Sequence, residues 1–384
     1  MFMLGIKVLT GLAGGMITVA FPFLILTNLH LGYLVLGEIY TASGIGTAIL
    51  VFVMGIATDM LGRKASLLLA MSFLPLSCFL IVFSTNLGIL FAAAIIGSFN
   101  STAPLFGSGV GVVPQAAQQT ITAELTVRKD RTFYYSLLSL GGSLSASLGA
   151  LLSGITSTSE LFLMATVLSA VSVVLSLFLK TVQSKRKSIK IKSSLAISKF
   201  TITGMLNGLS QGLVMPFLIP FFIAVYSLTR PEMAVYSGAA GFVGSFMILL
   251  APRLERSLGF LKGIVVTRAI TVVQLLIMPF VRILPLSIAI YILYPAFRAL
   301  ALPVQQSAMM DMVSADERGT AFGINQSTRL VAASAGTYFS GFEFALSEIE
   351  VPFLAYALTI AVNLGLYWKF FSLYVNPIRK NRKD

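Results

Sequence analysis

The stretch that decides the architecture is Gly55-Ile-Ala-Thr-Asp59-Met-Leu-Gly62-Arg63-Lys64, residues 55–64. Two glycines and three charges interrupt what is otherwise apolar chain, with one apolar run over 31–56 and another over 65–84. A helix needs about 20 mostly apolar residues to cross the hydrocarbon core of a bilayer. Each flank is therefore a full span, and the charged stretch is the turn between them. Gly55 and Gly62 permit close backbone approach. Asp59 and Arg63 stand at i,i+4, the spacing at which helical side chains pair.

Reading outward with a window of about 19 residues yields twelve apolar segments. Their limits are 5–28, 31–56, 65–84, 88–113, 133–156, 160–181, 199–226, 233–251, 260–281, 284–310, 320–342 and 351–375. The fourth is irregular, interrupted by Pro104, Gly107, Gly109, Gly111 and Pro114. The first is too long for a signal-peptide core and reads as an uncleaved span. Composition agrees: 57% of the 384 residues are hydrophobic, 11% are charged, and mean hydropathy is +0.91. Soluble domains carry about 25% charged residues, which excludes a water-soluble enzyme, a nucleic-acid binder and a secreted scaffold. One cysteine, Cys78, and one histidine, His30, leave no internal disulfide and no metal cluster. No cofactor is expected. A membrane-embedded enzyme would need a convergent acid, base or metal set within the spans, which these residues do not supply.

Lysine and arginine set the orientation. The loops after even-numbered spans, with the C-terminal tail, hold 21 of the 27 basic residues; the other side holds Arg230 and Arg282 alone. Lys7, Arg268, Arg298 and Arg329 fall inside spans or at their rims. The rich side is expected to be cytoplasmic, so both termini face the cytoplasm of a cell-membrane protein. The net charge of +13 is then an address rather than a sign of nucleic-acid binding.

The chain also repeats itself. At an offset of 197, Gly11-Leu12 and Gly15 match Gly208-Leu209 and Gly212, Gly44 matches Gly241, and Leu61-Gly62 matches Leu258-Gly259. At an offset of 187, Gln118-Gln119 match Gln305-Gln306, Glu124 matches Asp311, Arg131 matches Arg318, and Gly149 and Gly154 match Gly336 and Gly341. Six spans per repeat preserve orientation, so the halves are parallel repeats about an axis along the membrane normal. The expected units are 1–181, a basic cytoplasmic linker at 182–198, and 199–384 with a basic tail. The linker, which includes Lys185, Arg186, Lys187, Lys190 and Lys192, reads as a segment lying near anionic headgroups.

The 55–64 stretch resembles the signature of the major facilitator superfamily (MFS): glycine, three residues, aspartate, two residues, glycine and two basic residues. It sits between spans two and three, where that family has it. A degenerate copy, Arg253-Leu-Glu255-Arg256-Ser-Leu-Gly259, follows span eight. Two further stretches resemble the family, Glu124 to Arg131 after span four and Asp311 to Gly319 after span ten. The resemblance implies an all-α membrane protein of twelve transmembrane helices in two pseudo-symmetric six-helix halves, working by alternating access. It also implies a cytoplasmic gate of Gly55, Asp59, Gly62, Arg63, Lys64, Glu124, Arg131, Asp311 and Arg318. Two family patterns are not met. The span-four arginine linked to proton coupling is missing from Asn100 to Gly107. The span-five antiporter motif is incomplete in Leu148-Gly149-Ala150-Leu-Leu-Ser153-Gly154.

Ionisable groups within a membrane are functional candidates by default. Glu38 is either an outer-rim group reaching water near His30 or a protonatable coupling site. Arg298 and Arg329, on spans ten and eleven, either tie helices together or bind an anion with their guanidinium forks. Asn325 stands one turn from Arg329, and Asn207 and Gln211 form a second i,i+4 polar pair on span seven. Arg268, on a peripheral span, is expected to snorkel to the interface. The resulting expectation is a monomeric secondary transporter of a small anionic or polar organic solute, with the proton as a coupling partner. The alternative is proton-coupled efflux of amphipathic compounds through Glu38.

Overall fold

A computed structural model describes residues 2–61, 63–99, 113–114, 118, 131–179, 194–313 and 318–372. The described chain is helical throughout its spans. The first half contributes α1 (Phe2–Phe23, extended by a π-helical turn Leu24–Asn28), α2 (Gly32–Leu61), α3 (Arg63–Phe83), α4 (Leu87–Gly97), α5 (Arg131–Leu152) and α6 (Thr158–Leu177). In the second half, α7 runs in two pieces, Ser194–Val214 and Leu218–Tyr226, joined by a 3-10 turn at Met215–Phe217. It is followed by α8 (Arg230–Ile248), α9 (Ala251–Ile277), α10 (Leu284–Met312), α11 (Arg318–Ala345) and α12 (Glu350–Phe371). The seventh helix thus starts five residues before the expected 199, within the basic stretch.

Local chemistry explains the breaks. Pro216 lies in the 3-10 turn of α7, where a missing N–H weakens the α-helical ladder. The Asn86 side chain accepts from the Gly88 amide at 3.0 Å and starts α4. Reciprocal capping boxes of Ser157 with Glu160 and Thr229 with Glu232 start α6 and α8, satisfying orphan amides at each end. Gly259 interrupts α9 at φ +71°, ψ 178°, a conformation open in practice to glycine alone. This is the glycine retained in the degenerate copy of the signature, so its retention has a backbone cause.

The repeat is visible contact by contact. In the first half, α1 crosses α5 so closely that a Cβ on Gly11 would meet the Gly142 carbonyl oxygen. One on Gly15 would meet that of Ala146, and one on Gly149 that of Leu12. In the second half, α7 crosses α11 with Gly208 against Arg329 O, Gly212 against Ala333 O and Gly336 against Leu209 O. Each contact maps onto its counterpart by the two offsets found in the sequence: 11 to 208 and 142 to 329, 15 to 212 and 146 to 333. Small residues that let helix backbones touch are a main source of helix association in lipid.

Eight described helices are long and apolar enough to cross a membrane by composition alone, and α8 and α11 are not among them. These two pack between the halves, α11 on α2 and α8 on α5. Many of their polar residues therefore meet protein rather than lipid: the Thr337 hydroxyl returns to the Ala333 carbonyl at 2.9 Å, and that of Ser237 meets the Tyr291 hydroxyl at 2.7 Å.

Candidate functional site

Three arginines approach one another inside the second half. Arg268 on α9 is only 6% exposed, contrary to the expected snorkelling. Its guanidinium donates to Asn363 Oδ1 of α12 and, at 3.2 Å, to Gln305 Oε1 of α10, and lies 4.6 Å from the Tyr367 ring centroid. Asn363 in turn donates to the Thr203 carbonyl of α7 at 2.7 Å. Four helices are thereby tied through one buried cation. Snorkelling fails because α9 turns this face inward, where amides and an aromatic face replace water.

Arg298 of α10 lines the same small cavity as Arg268, together with Asn207 of α7, Thr267 and Gln305. Arg329 of α11 lies near both, and the three guanidinium groups repel one another. Arg298 and Arg329 are half-buried. Among the described residues, neither guanidinium has a hydrogen-bonding or carboxylate partner. Arginine is among the costliest residues to place within a bilayer, and these three have no acid beside them among the described residues. The arrangement calls for negative charge.

The other expected residues divide. Asn207 faces the arginine cavity. Gln211, one turn along α7, is buried with its amide nitrogen unpartnered. Asn325 is a helix tie, donating to the Phe200 carbonyl of α7 at 2.6 Å, with Gly204 providing its room. Glu38 lies apart from the arginines in the other half. It is half-buried on the α2 face that continues into exposed Ile45, Ile49 and Phe52. At the expected gate, α2 runs through Gly55 and Asp59, and α3 starts at Arg63, with Lys64 half-buried. Gly62, Glu124 and the side chains of Asp59, Arg63, Arg131, Asp311 and Arg318 lie outside the described residues.

A closure at the opposite end was not legible in the sequence. There Gly37 of α2 meets Gly341 of α11, a Cβ on Gly37 standing 2.8 Å from Gly341 Cα. Gly44 meets Ser334, the Thr41 hydroxyl donates to the Ser334 carbonyl at 3.2 Å, and the Tyr33 and Phe344 rings lie 5.7 Å apart. The symmetric crossing pairs α5 with α8. Gly154 meets Ala234, with an added Cβ at 2.9 Å, and Gly241 meets Ser147. Arg230 bonds Thr158 Oγ1 at 2.7 Å and the Thr156 carbonyl. Between the halves lies a cavity of ≈ 20 Å³ lined by hydroxyls, among them Thr18, Ser147 and Ser237. The face opposite the basic loops is shut.

The sequence pattern of the Major Facilitator Superfamily matches residues 3–337. The chain belongs to the Major Facilitator Superfamily. No curated protein matches it by sequence. Among solved structures, a variant of the nucleoside transporter NupG superposes with a TM-score of 0.77 at 16% identity, covering 97% of this chain and 100% of that one. A bacterial homologue of the human lysosomal transporter Spinster, inward-facing and occupied, gives 0.74 at 13% identity, covering 96% and 95%. The human organic anion transporter MFSD10 gives 0.71 at 15%, covering 95% and 97%. These likenesses establish the MFS fold of two pseudo-symmetric six-helix halves. The MFS protein is a multi-pass membrane transporter, not an enzyme.

Four residues of the site escaped the sequence reading. Gln305 carries no signal in the sequence beyond its match to Gln118. Asn363 carried a signal, a lone amide in an apolar span. Tyr356 and Tyr367 carried none, since aromatic residues are ordinary in spans.

Proposed function

We propose that this MFS protein is a cell-membrane secondary transporter that moves a small anionic organic solute by alternating access. The observation that carries the reading is the group of three arginines in the second half with no carboxylate among the described side chains around it. Arg298 and Arg329, the half-buried pair, bind the solute's anionic group, and Asn207 and Gln211 add neutral hydrogen bonds. A guanidinium fork matches a carboxylate or phosphate in two parallel bonds. MFSD10, an organic anion transporter by its description, has the same fold, which is compatible with this chemistry without selecting it.

The basic loops support a cytoplasmic side for both termini by the positive-inside rule. The shut face is then extracytoplasmic. The residues expected at the cytoplasmic end, Asp59 and Arg63 with Glu124, Arg131, Asp311 and Arg318, form the gate that shuts when the halves rock back. The units 1–181 and 199–384 move as the two bodies, with 182–198 as their link, in a monomer. Coupling to a proton through Glu38, and with it efflux of amphipathic compounds, gains no support from the position of that side chain.

Reconstitution in liposomes with a panel of organic anions and cations under imposed pH gradients tests the reading. Arg298→Ala and Arg329→Ala are each expected to weaken binding of the transported anion at least tenfold. Retained affinity in both variants, or transport confined to cations, would sink the assignment.

A further inference from the structure

We infer that Arg268 is a positioning residue of the anion site proposed above: without bonding the solute itself, it holds a fixed buried positive charge behind Arg298 and Arg329 and so makes the site prefer a doubly charged solute. The inference rests on the anion reading and narrows it to one class, the organic dianions.

Three observations converge. The first is that the Arg268 guanidinium is occupied as a ligand but not neutralised as a charge. Its two terminal nitrogens bond Asn363 Oδ1 and Gln305 Oε1, it lies 4.6 Å from the Tyr367 ring centroid, and the residue is 6% exposed. The fork that would grip a carboxylate is therefore taken. Both acceptors are neutral amides, although buried charges are ordinarily paired. A glutamate at 305 would bond the guanidinium more strongly, and would cancel its field.

The second observation is where that field falls. Gln305 stands seven residues after Arg298 on α10, about two turns along the same helix face. Arg268 and Arg298 line one small cavity, and both repel Arg329. The charge of Arg268 thus acts on the pair that binds the solute. At an effective dielectric constant of about 20, a Coulomb interaction is about four times its strength in water.

The third comes from the repeat. The offset of 197 places Met71 of α3 where the second half has Arg268. Met71 is 3% exposed and packs with Met3 and Ile6 of α1. The first half builds the corresponding junction from apolar side chains, so helix packing at this point does not call for a cation. The arginine of the second half answers to something other than the fold.

Gln305→Glu tests the inference, because it keeps an acceptor on Arg268 and cancels the charge. Binding is measured by titration calorimetry on the full-length protein in nanodiscs at pH 8. The probes are two matched pairs, succinate with succinamate and phenyl phosphate with phenyl sulfate, each a dianion beside a monoanion of similar shape. The wild type is expected to bind the dianion of a pair about tenfold tighter than the monoanion. Coulomb energy is proportional to solute charge, so Gln305→Glu should weaken the monoanion about threefold and the dianion about tenfold. Its Tm should be no lower than that of the wild type. A purely structural role predicts equal fractional losses, or none. Arg268→Lys, which keeps the charge without the fork, should retain the dianion preference, and Arg268→Met, the side chain of the first half, should lose it. These two variants keep the test decisive if Gln305→Glu does not fold. Equal wild-type affinities within both pairs, or equal fractional losses in Gln305→Glu, overturn the inference and leave the anion reading standing. Failure of every probe to bind the wild type, or full binding by both Arg298→Ala and Arg329→Ala, defeats the anion reading and the inference with it.

Discussion

Replacing Gly37 with leucine should pry open the shut face. A Cβ at this position would stand 2.8 Å from the Cα of Gly341 and 3.4 Å from its amide nitrogen. Ordinary carbon contacts lie at about 3.5–4.0 Å, so α2 and α11 must part by about 1 Å before the rest of the side chain is housed. The obstacle is backbone, and no rotamer change relieves it. Overpacking of this kind costs about 1–3 kcal/mol. The cost falls on the shut state alone, because the two glycines separate when that face opens. The equilibrium should therefore move toward the open state by about 5–150-fold. Double electron–electron resonance reads this directly, with spin labels on the exposed Ile155 and Leu346 of the two halves in a Cys78→Ser background. A longer-distance population should grow in Gly37→Leu and in Gly154→Leu at the symmetric crossing, where Gly154 is the repeat mate of Gly341. Gly365→Leu, where a Cβ meets nothing within 4 Å, should match the parent. A folded Gly37→Leu protein with an unchanged distance distribution would refute the account of the closure.

Three further outcomes follow from the same geometry. Gly212→Ala and Gly15→Ala drive a Cβ into the carbonyl oxygens of Ala333 and Ala146; each should cost on the order of 4 kcal/mol or more and abolish the monodisperse peak in size-exclusion chromatography, and a normal profile would contradict the close crossings. Gly259→Ala forces φ +71°, ψ 178° on a residue with a Cβ, at about 1–3 kcal/mol; its Tm should fall clearly, whereas Gly365→Ala should stay near the parent. Asp59→Asn should slow transport more than it weakens substrate binding, measured as flux and equilibrium affinity in the same liposomes; equal losses would count against a gating role.

Much of the architecture was legible because its cause is local. A run of apolar residues reports a span wherever it occurs, since lipid acts on every residue of the run alike. The offsets of 197 and 187 likewise survive in the chain, in part because Gly11, Gly15 and Gly149 and their mates Gly208, Gly212 and Gly336 are held by backbone contact and tolerate no side chain. Arg298 and Arg329 stood out for a similar reason, as charges in an apolar text. The sequence pointed wrongly at Arg268. A guanidinium within a few turns of an interface has two outcomes, water or interior, and only the rotation of α9 about its axis selects between them.

Span number, the repeat, the basic face and the few intramembrane charges were therefore settled by the sequence alone, because each depends on residue type and order. Tertiary structure decided which charges meet. It brought Arg268 of α9, Arg298 of α10 and Arg329 of α11 together and left Glu38 on a distant face of α2. It also decided that Gly37 and Gly341, 304 positions apart in the numbering, touch. Proximity between helices depends on their relative rotation and tilt, and these are set by the packing of all their neighbours. No window along a single chain segment contains that information.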